Sequence, residues 1–273
     1  MIFLRIFLLA CSLGISASLV LSTCLIAAPV SAQELVKLQT IEEFDRNGQS
    51  VPLAKNTTAL LNYLEKSLQL QFQIQRVPWK RAMANALKED LILLGMSINK
   101  ERSKKYLFSD AINANGNWLV TRCDASFPFN SLQDLKGKLI GVVAGTSAGE
   151  AFDEQVNKLF KVENDIGAGI SRLQKLMLGR MDALVWYDNV DAPKSLEKNI
   201  NLSYNKRPKK IMGDSAHGTQ SFCVNEKPVS IVSNHFAMRI SPANRALLDR
   251  INQAMSKGRK EGAIPAASAT ILN

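Results

Sequence analysis

Histidine and cysteine are scarce in this chain of 273 residues, which contains two histidines and four cysteines. No Cys or His pair has the spacing of a zinc site, so the sequence does not predict a metal centre. The chain also lacks a P-loop and a paired-glycine dinucleotide loop. We therefore expect a protein that works without a cofactor and is not an enzyme.

Acidic residues are outnumbered by basic ones. The chain has 34 Lys and Arg residues against 24 Asp and Glu residues, which gives a net charge of +10. The basic residues are spread along the chain, and no nucleic-acid-binding motif accompanies them. The charge therefore indicates a basic, solvated surface, and nucleic acid is not a predicted partner.

One long apolar run lies at the start of the chain. After Arg5, residues 6–32 carry no charge, and the run ends in the small residues Val30-Ser31-Ala32. This pattern predicts a signal peptide over residues 1–32 and hence export to the periplasm. The run is longer than the usual apolar region of about 7–15 residues. An uncleaved membrane anchor of about 20 residues therefore remains an alternative.

Only Cys123 and Cys223 lie beyond this segment. An exported protein meets an oxidising compartment, in which two cysteines of one chain can form a disulfide. We predict a bridge between Cys123 and Cys223. Two buried free thiols are the alternative, because the sequence does not give the distance between the two residues.

The first half of the chain alternates between two periodicities. Residues 35–40, 71–77 and 90–96 read as strands, and residues 57–68 and 80–88 read as helices. The resulting βαβαβ series predicts a mainly parallel sheet covered by helices.

The second half repeats this pattern. "LKGKLIGVVAG" and "DALVWYD" read as strands, whereas "SAGEAFDEQVNKLF" and "ISRLQKLMLGR" read as helices. A last helix begins at "PANRALL", with Ser241 as its predicted N-cap and Pro242 in its first turn. The fold class predicted is α/β, with two lobes that are each a mainly parallel sheet flanked by helices.

Five segments resemble one family in order along the chain: "VPWKRAMANAL", "GMSINKERSKKYLFSDAI", "DLKGKLIGVVAGTSAGEAF", "LQKLMLGRMDALVWYD" and "INQAMSKGRKEGAI". They resemble the extracellular solute-binding proteins of family 3, whose well-known members are periplasmic amino-acid-binding proteins with the type II periplasmic-binding fold. The resemblance implies that a ligand binds in a cleft between two lobes.

The resemblance also implies where the lobes divide. It places residues 33–121 and 235–273 in lobe 1 and residues 122–234 in lobe 2. The two crossing segments are expected near Leu119–Cys123 and near Asn234–Arg239.

The same resemblance implies most of the ligand site. Arg102 stands where the family places an arginine on a ligand carboxylate, and a planar guanidinium can form two parallel hydrogen bonds there. Ser97 stands where the family offers a hydroxyl or backbone group, although a strand-end turn is equally compatible. Asp188 is expected to pair with a ligand ammonium from the second lobe, so that Arg102 and Asp188 would together bind a zwitterion.

Three further residues complete the predicted site. Thr146 and Ser147 follow a strand and precede a helix, where free N–H groups attract anions. The alternative is that Ser147 caps this helix with Glu150. Trp79 stands near a position where the family packs an aromatic ring on the ligand, and a core tryptophan is the alternative. Trp186 and Tyr187 alternate on a strand, so one of them is expected to face inward and the other outward.

We expect a binding protein that captures a small amino-acid-like or carboxylate-bearing solute and delivers it, as a monomer, to the permease of an ABC-type importer. A ligand-sensing module for a signalling receptor is the alternative, followed by an enzyme similar to cyclohexadienyl dehydratases. The stretch "IEEFDRNGQSVPLAKNTTALL" departs from the family pattern at the first lobe. The ligand itself is therefore not predicted.

Overall fold

The computed structural model describes residues 33–43, 49–166, 169–189, 193–205 and 221–267. The predicted signal peptide lies outside these residues. Within them, no helix combines the length and the apolar character that a membrane crossing requires.

The first lobe is built from the start and the end of the described chain. Its elements are β1 (Glu34–Ile41), α1 (Lys55–Leu68), β2 (Leu70–Val77), α2 (Trp79–Lys88), β3 (Ile92–Met96), α3 (Lys100–Ser103), β4 (Tyr106–Phe108) and α7 (Pro242–Lys260). The strands and long helices that the periodicity predicts for residues 35–96 are therefore confirmed, with bounds that differ by one or two residues.

The second lobe follows β4. Its elements are β5 (Asn113–Arg122), β6 (Leu139–Val143), α4 (Glu150–Gln155), β7 (Lys161–Asp165), α5 (Ile170–Met177), β8 (Ala183–Asn189), α6 (Pro193–Asn205) and β9 (Phe222–Val224). Strand β10 (Ser230–Arg239) follows and pairs with strands of both lobes. Two short 3₁₀ helices, Cys123–Ala125 and Leu132–Leu135, join β5 to β6.

Apolar spacing explains how the helices cover the sheet. On α2, Trp79, Ala82 and Ala86 are buried at helical spacing. On α7, Leu248 and Ile251 are buried in the same way. The Ser241 side chain accepts a hydrogen bond from the Asn244 N–H at 3.1 Å. The predicted N-cap of α7 is therefore confirmed.

The strands run in the order β2-β1-β3-β10-β5-β8-β6-β7, with β4 and β9 paired at the side. Pairing is parallel between β1 and both β2 and β3, and between β6 and both β7 and β8. The antiparallel strands β10 and β5 join these two parallel parts. Each part carries its own apolar clusters, around Leu38 and Leu93 in one and around Leu184 and Leu119 in the other.

The strand pairing bears on the lobe boundaries. Strand β5 pairs with β8 from Asn115 to Val120. Strand β10 pairs with β5 up to Asn234 and with β3 from His235. The boundary near residue 235 stays a prediction that this pairing favours. For the first boundary, the pairing favours a position near residue 112, earlier than the predicted residue 121.

Helix α4 is shorter than "SAGEAFDEQVNKLF" predicts. It begins at Glu150 after Gly149, whose positive φ of 97° suits a glycine. It ends at Gln155, because Val156 is extended and Asn157 has a left-handed φ of 64°. The capping box of Ser147 and Glu150 is also not formed, since Gly149 is the N-cap residue and has no side chain to accept a hydrogen bond.

Candidate functional site

A cavity of about 270 Å³ lies at the carboxyl ends of β1, β2 and β3. Thr40, Arg76 and Leu94 line it from these strands. The second lobe contributes three hydroxyl-bearing residues, Thr146, Ser147 and Tyr187. The cavity therefore has walls from both lobes, beyond the carboxyl ends of parallel strands, where open α/β sheets bind ligands.

Arg102 lines this cavity from α3. The Asn99 side chain caps α3 by accepting a hydrogen bond from the Arg102 N–H at 2.9 Å. The Arg102 side chain is 6% exposed. Burial lowers the pKa of its guanidinium, which nonetheless remains charged because arginine titrates above about pH 12. A buried cation therefore faces the space in which a ligand would lie.

The guanidinium of Arg102 is also held by the protein. Nη1 donates to the carbonyl and to the Oγ of Ser97, both at 2.7 Å. Nη2 donates to the Gly145 carbonyl of the second lobe at 2.8 Å. Ser97 thus orients the guanidinium of Arg102, and its predicted contact with a ligand stays a prediction. Three of about five N–H donors are occupied in this way, which leaves two for a ligand so far as the described residues are concerned.

Thr146 and Ser147 reach the cavity, but the protein itself already occupies part of the helix start behind them. The Oγ of Ser147 donates to the Asp153 carboxylate. The other oxygen of Asp153 accepts from the Ala148 N–H at 3.2 Å. The protein's own carboxylate therefore occupies the position where a ligand anion was expected. Thr146 donates to the Val143 carbonyl at 2.7 Å.

The segment Gly145-Thr146-Ser147-Ala148-Gly149 also fits the Gly-x-Ser-x-Gly pattern that hydrolases use for a nucleophilic serine between a strand and a helix. Such a serine needs a histidine or another base to take its proton. Ser147 is instead bonded to a carboxylate, and His235 Nδ1 is bonded to the Ser109 carbonyl at 2.8 Å. The geometry of the described residues does not form a hydrolase site.

Tyr187, and not Asp188, lines the cavity from β8. Successive side chains of a strand point to opposite faces, so a shift of one residue decides whether Tyr187 or Asp188 points to the cavity. The Tyr187 hydroxyl donates to the Ser147 carbonyl at 2.7 Å, and burial raises its pKa to about 12. The pairing of Asp188 with a ligand ammonium opposite Arg102 stays a prediction, and this geometry does not favour it, because the phenol of Tyr187 lines the cavity. Trp186 packs on the core of the second lobe, as the alternation predicts for one of the two aromatic residues.

Trp79 lies between its two predicted roles. It is the first residue of α2, it is 5% exposed, and it belongs to the apolar cluster of Leu93 and Tyr106. It also lines the cavity. Trp79 therefore packs in the core of the first lobe and also forms part of the cavity wall.

Two charged residues of the cavity wall were not predicted. Arg76 is near the end of β2, where the pattern indicates only an alternating strand. Glu43 follows β1 in the stretch that departs from the family. Three asparagines line the cavity as well: Asn113, Asn115 and Asn234. The sequence signal that could have identified Arg76 and Glu43 is their position at or just after the ends of β2 and β1, two strands whose carboxyl ends meet at one edge of the sheet.

Polar contacts join the lobes beside the cavity. Asn99 Nδ2 donates to Asp153 at 3.3 Å, and the Lys100 N–H donates to Glu150 at 3.0 Å. Lys100 Nζ forms salt bridges with Glu154 at 3.0 Å and Glu150 at 3.6 Å. These contacts and the bond from Arg102 to Gly145 come from one loop and one short helix of the first lobe.

Two remaining observations concern cysteines and metals. Cys123 and Cys223 are joined by a disulfide, with their Cα atoms 5.0 Å apart. The bridge connects the end of β5 to β9, within the second lobe. Among the described residues, no three His, Cys, Asp or Glu side chains lie together as a metal site requires.

Two α/β lobes with a cavity of amino-acid size between them define a class of protein, the two-lobe periplasmic-binding fold. The sequence matches the family of bacterial extracellular solute-binding proteins, family 3, over residues 56–272. The chain belongs to this family and is a solute-binding protein. The family description is that of binding proteins rather than enzymes.

Characterised relatives share about a quarter of their residues with the chain. The L-cystine-binding protein TcyJ of Escherichia coli is 24% identical over 231 residues, which cover 84% of this chain and 78% of that protein. The ABC transporter arginine-binding protein 1 of Escherichia coli is 25% identical over 175 residues, which cover 64% of this chain and 63% of that protein.

Solved structures agree with the fold. An ancestral arginine-binding protein bound to arginine superimposes with a TM-score of 0.61 at 23% identity, covering 84% of this chain and 94% of that chain. Holo ArgBP from T. maritima gives a TM-score of 0.61 at 20% identity, covering 82% and 89%. At this level of identity the likeness concerns the fold.

Proposed function

We propose that the protein is exported by a signal peptide and captures a small, amino-acid-like or carboxylate-bearing solute in the periplasm. As a monomer, it would deliver this solute to the permease of an ABC-type importer. The names of the relatives support an amino-acid-like ligand, since one binds L-cystine and another is the arginine-binding protein of an ABC transporter.

The observation that carries the proposal is the placement of Arg102. Its guanidinium is buried, faces the cavity and is oriented by Ser97 and Gly145. A preorganised guanidinium binds a carboxylate with two charge-assisted hydrogen bonds and loses little side-chain entropy in doing so. Arg102 is therefore the anchor for a ligand carboxylate.

Other residues of the cavity wall, three of them predicted from the sequence, surround this anchor. Thr146, Ser147 and Tyr187 form the wall that the second lobe presents, and Trp79 forms part of the wall of the first lobe. We propose that these residues contact the ligand when the lobes close over it. Asp188 is not part of this proposal, since it does not line the cavity.

A thermal-shift screen of residues 33–273, which form one compact unit, tests the proposal. The ligands are amino acids, small peptides, dicarboxylates and polyamines. A ligand at 100 times its Kd adds about 2.7 kcal/mol of stability, which should raise Tm by roughly 5–11 °C.

The matched variant for this screen is Arg102→Lys. Lysine retains the positive charge but has no planar fork, so the shift caused by a carboxylate should disappear. No shift with any carboxylate in the wild-type protein would contradict the proposal. An undiminished shift in Arg102→Lys would contradict the role of Arg102.

A further inference from the structure

The cavity has a second charged end, formed by Arg76 and Glu43. Arg76 of β2 is in register with Thr40 of β1. The Thr40 hydroxyl in turn donates to the Leu94 carbonyl of β3 at 3.2 Å. The backbone at Arg76 is therefore two strand spacings, about 10 Å, from the strand that leads to Ser97 and Arg102.

The charged side chains at this second end form few hydrogen bonds with the protein. Arg76 makes one long hydrogen bond, from Nη1 to the Ile41 carbonyl at 3.4 Å. The Glu43 carboxylate, at the exposed rim, has neither a hydrogen bond nor a salt bridge among the described residues, whereas the Glu43 backbone carbonyl accepts from the Val51 N–H at 2.8 Å. Desolvation raises the pKa of Glu43, while Arg76 lowers it and Asp188 raises it. Both side chains are thus available to a ligand.

Within the part of the chain that the structure describes, the charged residues that line the cavity are Arg76, Arg102 and Glu43. This set of two cations and one anion is complemented by a ligand with two anions and one cation. A neutral amino acid would leave one guanidinium without a counter-charge. A basic amino acid would place a second cation beside Arg76, and like charges at close range are unfavourable.

We infer that the ligand is an amino dicarboxylic acid, with its α-carboxylate on Arg102 and its side-chain carboxylate on Arg76. In this arrangement Arg76 binds the carboxylate that distinguishes the diacid from its amide, and the Glu43 carboxylate accepts a hydrogen bond from the ligand ammonium. The inference rests on the proposed function, because it requires that Arg102 binds a carboxylate. It assigns the ligand ammonium to Glu43 of the first lobe and not to Asp188.

Isothermal titration calorimetry on residues 33–273 tests this inference with ligands that differ in one group. Glutamate is compared with glutamine, and 2-aminoadipate with lysine, to examine the second carboxylate. Glutamate is compared with glutarate to examine the ammonium. We expect an amino diacid to bind roughly 10- to 100-fold more tightly than its partner in each pair, as the loss of one charge-assisted hydrogen-bonding group predicts.

Variants assign each preference to a residue. Arg76→Gln should remove the preference for the diacid over the amide, while the amide binds as before. Glu43→Gln should remove the preference for glutamate over glutarate. The control is Arg81→Gln, which removes one positive charge from the exposed face of α2 and should retain both preferences.

The outcomes separate this inference from the proposed function. If glutamine or lysine binds the wild-type protein as tightly as the diacids, the inference is wrong and the proposed function stands. If Arg76→Gln keeps the full preference for the diacid, the inference is also wrong. If no carboxylate binds at all, the proposed function itself fails.

Discussion

Arg102 and Arg76 face the same cavity, but their surroundings differ. Arg102 is 6% exposed and donates three hydrogen bonds, one of which reaches the other lobe. Arg76 is half-buried and donates one hydrogen bond of 3.4 Å within its own lobe.

This difference indicates a division of roles between the two ends of the cavity. Arg102 is preorganised and part of the contact between the lobes, so it suits a group that every ligand of the site would share. Arg76 forms few hydrogen bonds with the protein. It therefore contributes to binding only when a ligand supplies a second carboxylate. Arg102 therefore determines binding and stability, and Arg76 determines selectivity.

The largest expected effect is a loss of folding stability, and it comes from a disulfide that is separate from both arginines. The disulfide of Cys123 and Cys223 closes a loop with a sequence separation of 100 residues. Replacement of both cysteines by serine should lower the unfolding free energy by about 2–5 kcal/mol. Because the bridge lies within the second lobe, ligand selectivity should not change. Urea unfolding and calorimetry measure the two quantities.

Thiol titration of unfolded, unreduced residues 33–273 provides the control for this prediction. A bridged protein has no reactive thiol. Two reactive thiols would show that the bridge does not form.

The second prediction compares the two arginines in the absence of ligand. Arg102→Gln should lower the unfolding free energy by about 1.5–3 kcal/mol, since it removes hydrogen bonds from a charged group to Ser97 and Gly145. Arg76→Gln should change it by less than about 0.5 kcal/mol, as is usual for partly exposed side chains with few contacts. Urea unfolding measures both changes. An equal loss of unfolding free energy in the two variants would contradict the different roles of Arg102 and Arg76.

The third prediction concerns the ion pairs between the lobes at the Arg102 end. Lys100→Gln removes the salt bridges to Glu150 and Glu154. These pairs are exposed to solvent, so we expect ligand affinity to fall by at most about fivefold, and less at high salt. Lys104→Gln is the matched control, because its partner Glu101 lies in the same lobe. A similar fall in both variants would contradict a role in lobe contact.

The smallest expected effect is a pH dependence at the Arg76 end. Desolvation raises the pKa of Glu43 above its value in the unfolded chain. The folded state therefore binds this proton more tightly, and the associated stability is present at low pH and is lost as pH rises through the folded pKa. Glu43→Gln should therefore gain stability relative to the wild type as pH rises above about 4.5, the ordinary pKa of a glutamate. Urea unfolding at several pH values measures this gain. A difference in urea midpoint between Glu43→Gln and the wild type that does not change with pH would contradict the prediction.

The regular elements could be predicted because their apolar spacing is local. The alternation of residues 71–77 corresponds to β2, and the leucines of residues 57–68 correspond to α1. The end of α4 was not predicted, because the left-handed Asn157 after an extended Val156 has no strong signal in the sequence.

The site could be predicted only in part, for reasons of register and pairing. Arg102 and Ser97 follow from the resemblance to the family. The choice between Tyr187 and Asp188 depends on which face of β8 meets the cavity, and a shift of one residue reverses it. Arg76 was missed because its role depends on the pairing of β2 with β1, which brings a strand-end charge to the same edge as Thr40.

The most direct test of the division of roles is a crystal structure of residues 33–273 with the diacid that binds most tightly in calorimetry. We predict one ligand carboxylate at about 2.7–2.9 Å from the Arg102 guanidinium and the second carboxylate at the same distance from Arg76. A ligand whose carboxylates contact neither residue, with Arg102 bonded only to Ser97 and Gly145, would contradict this account.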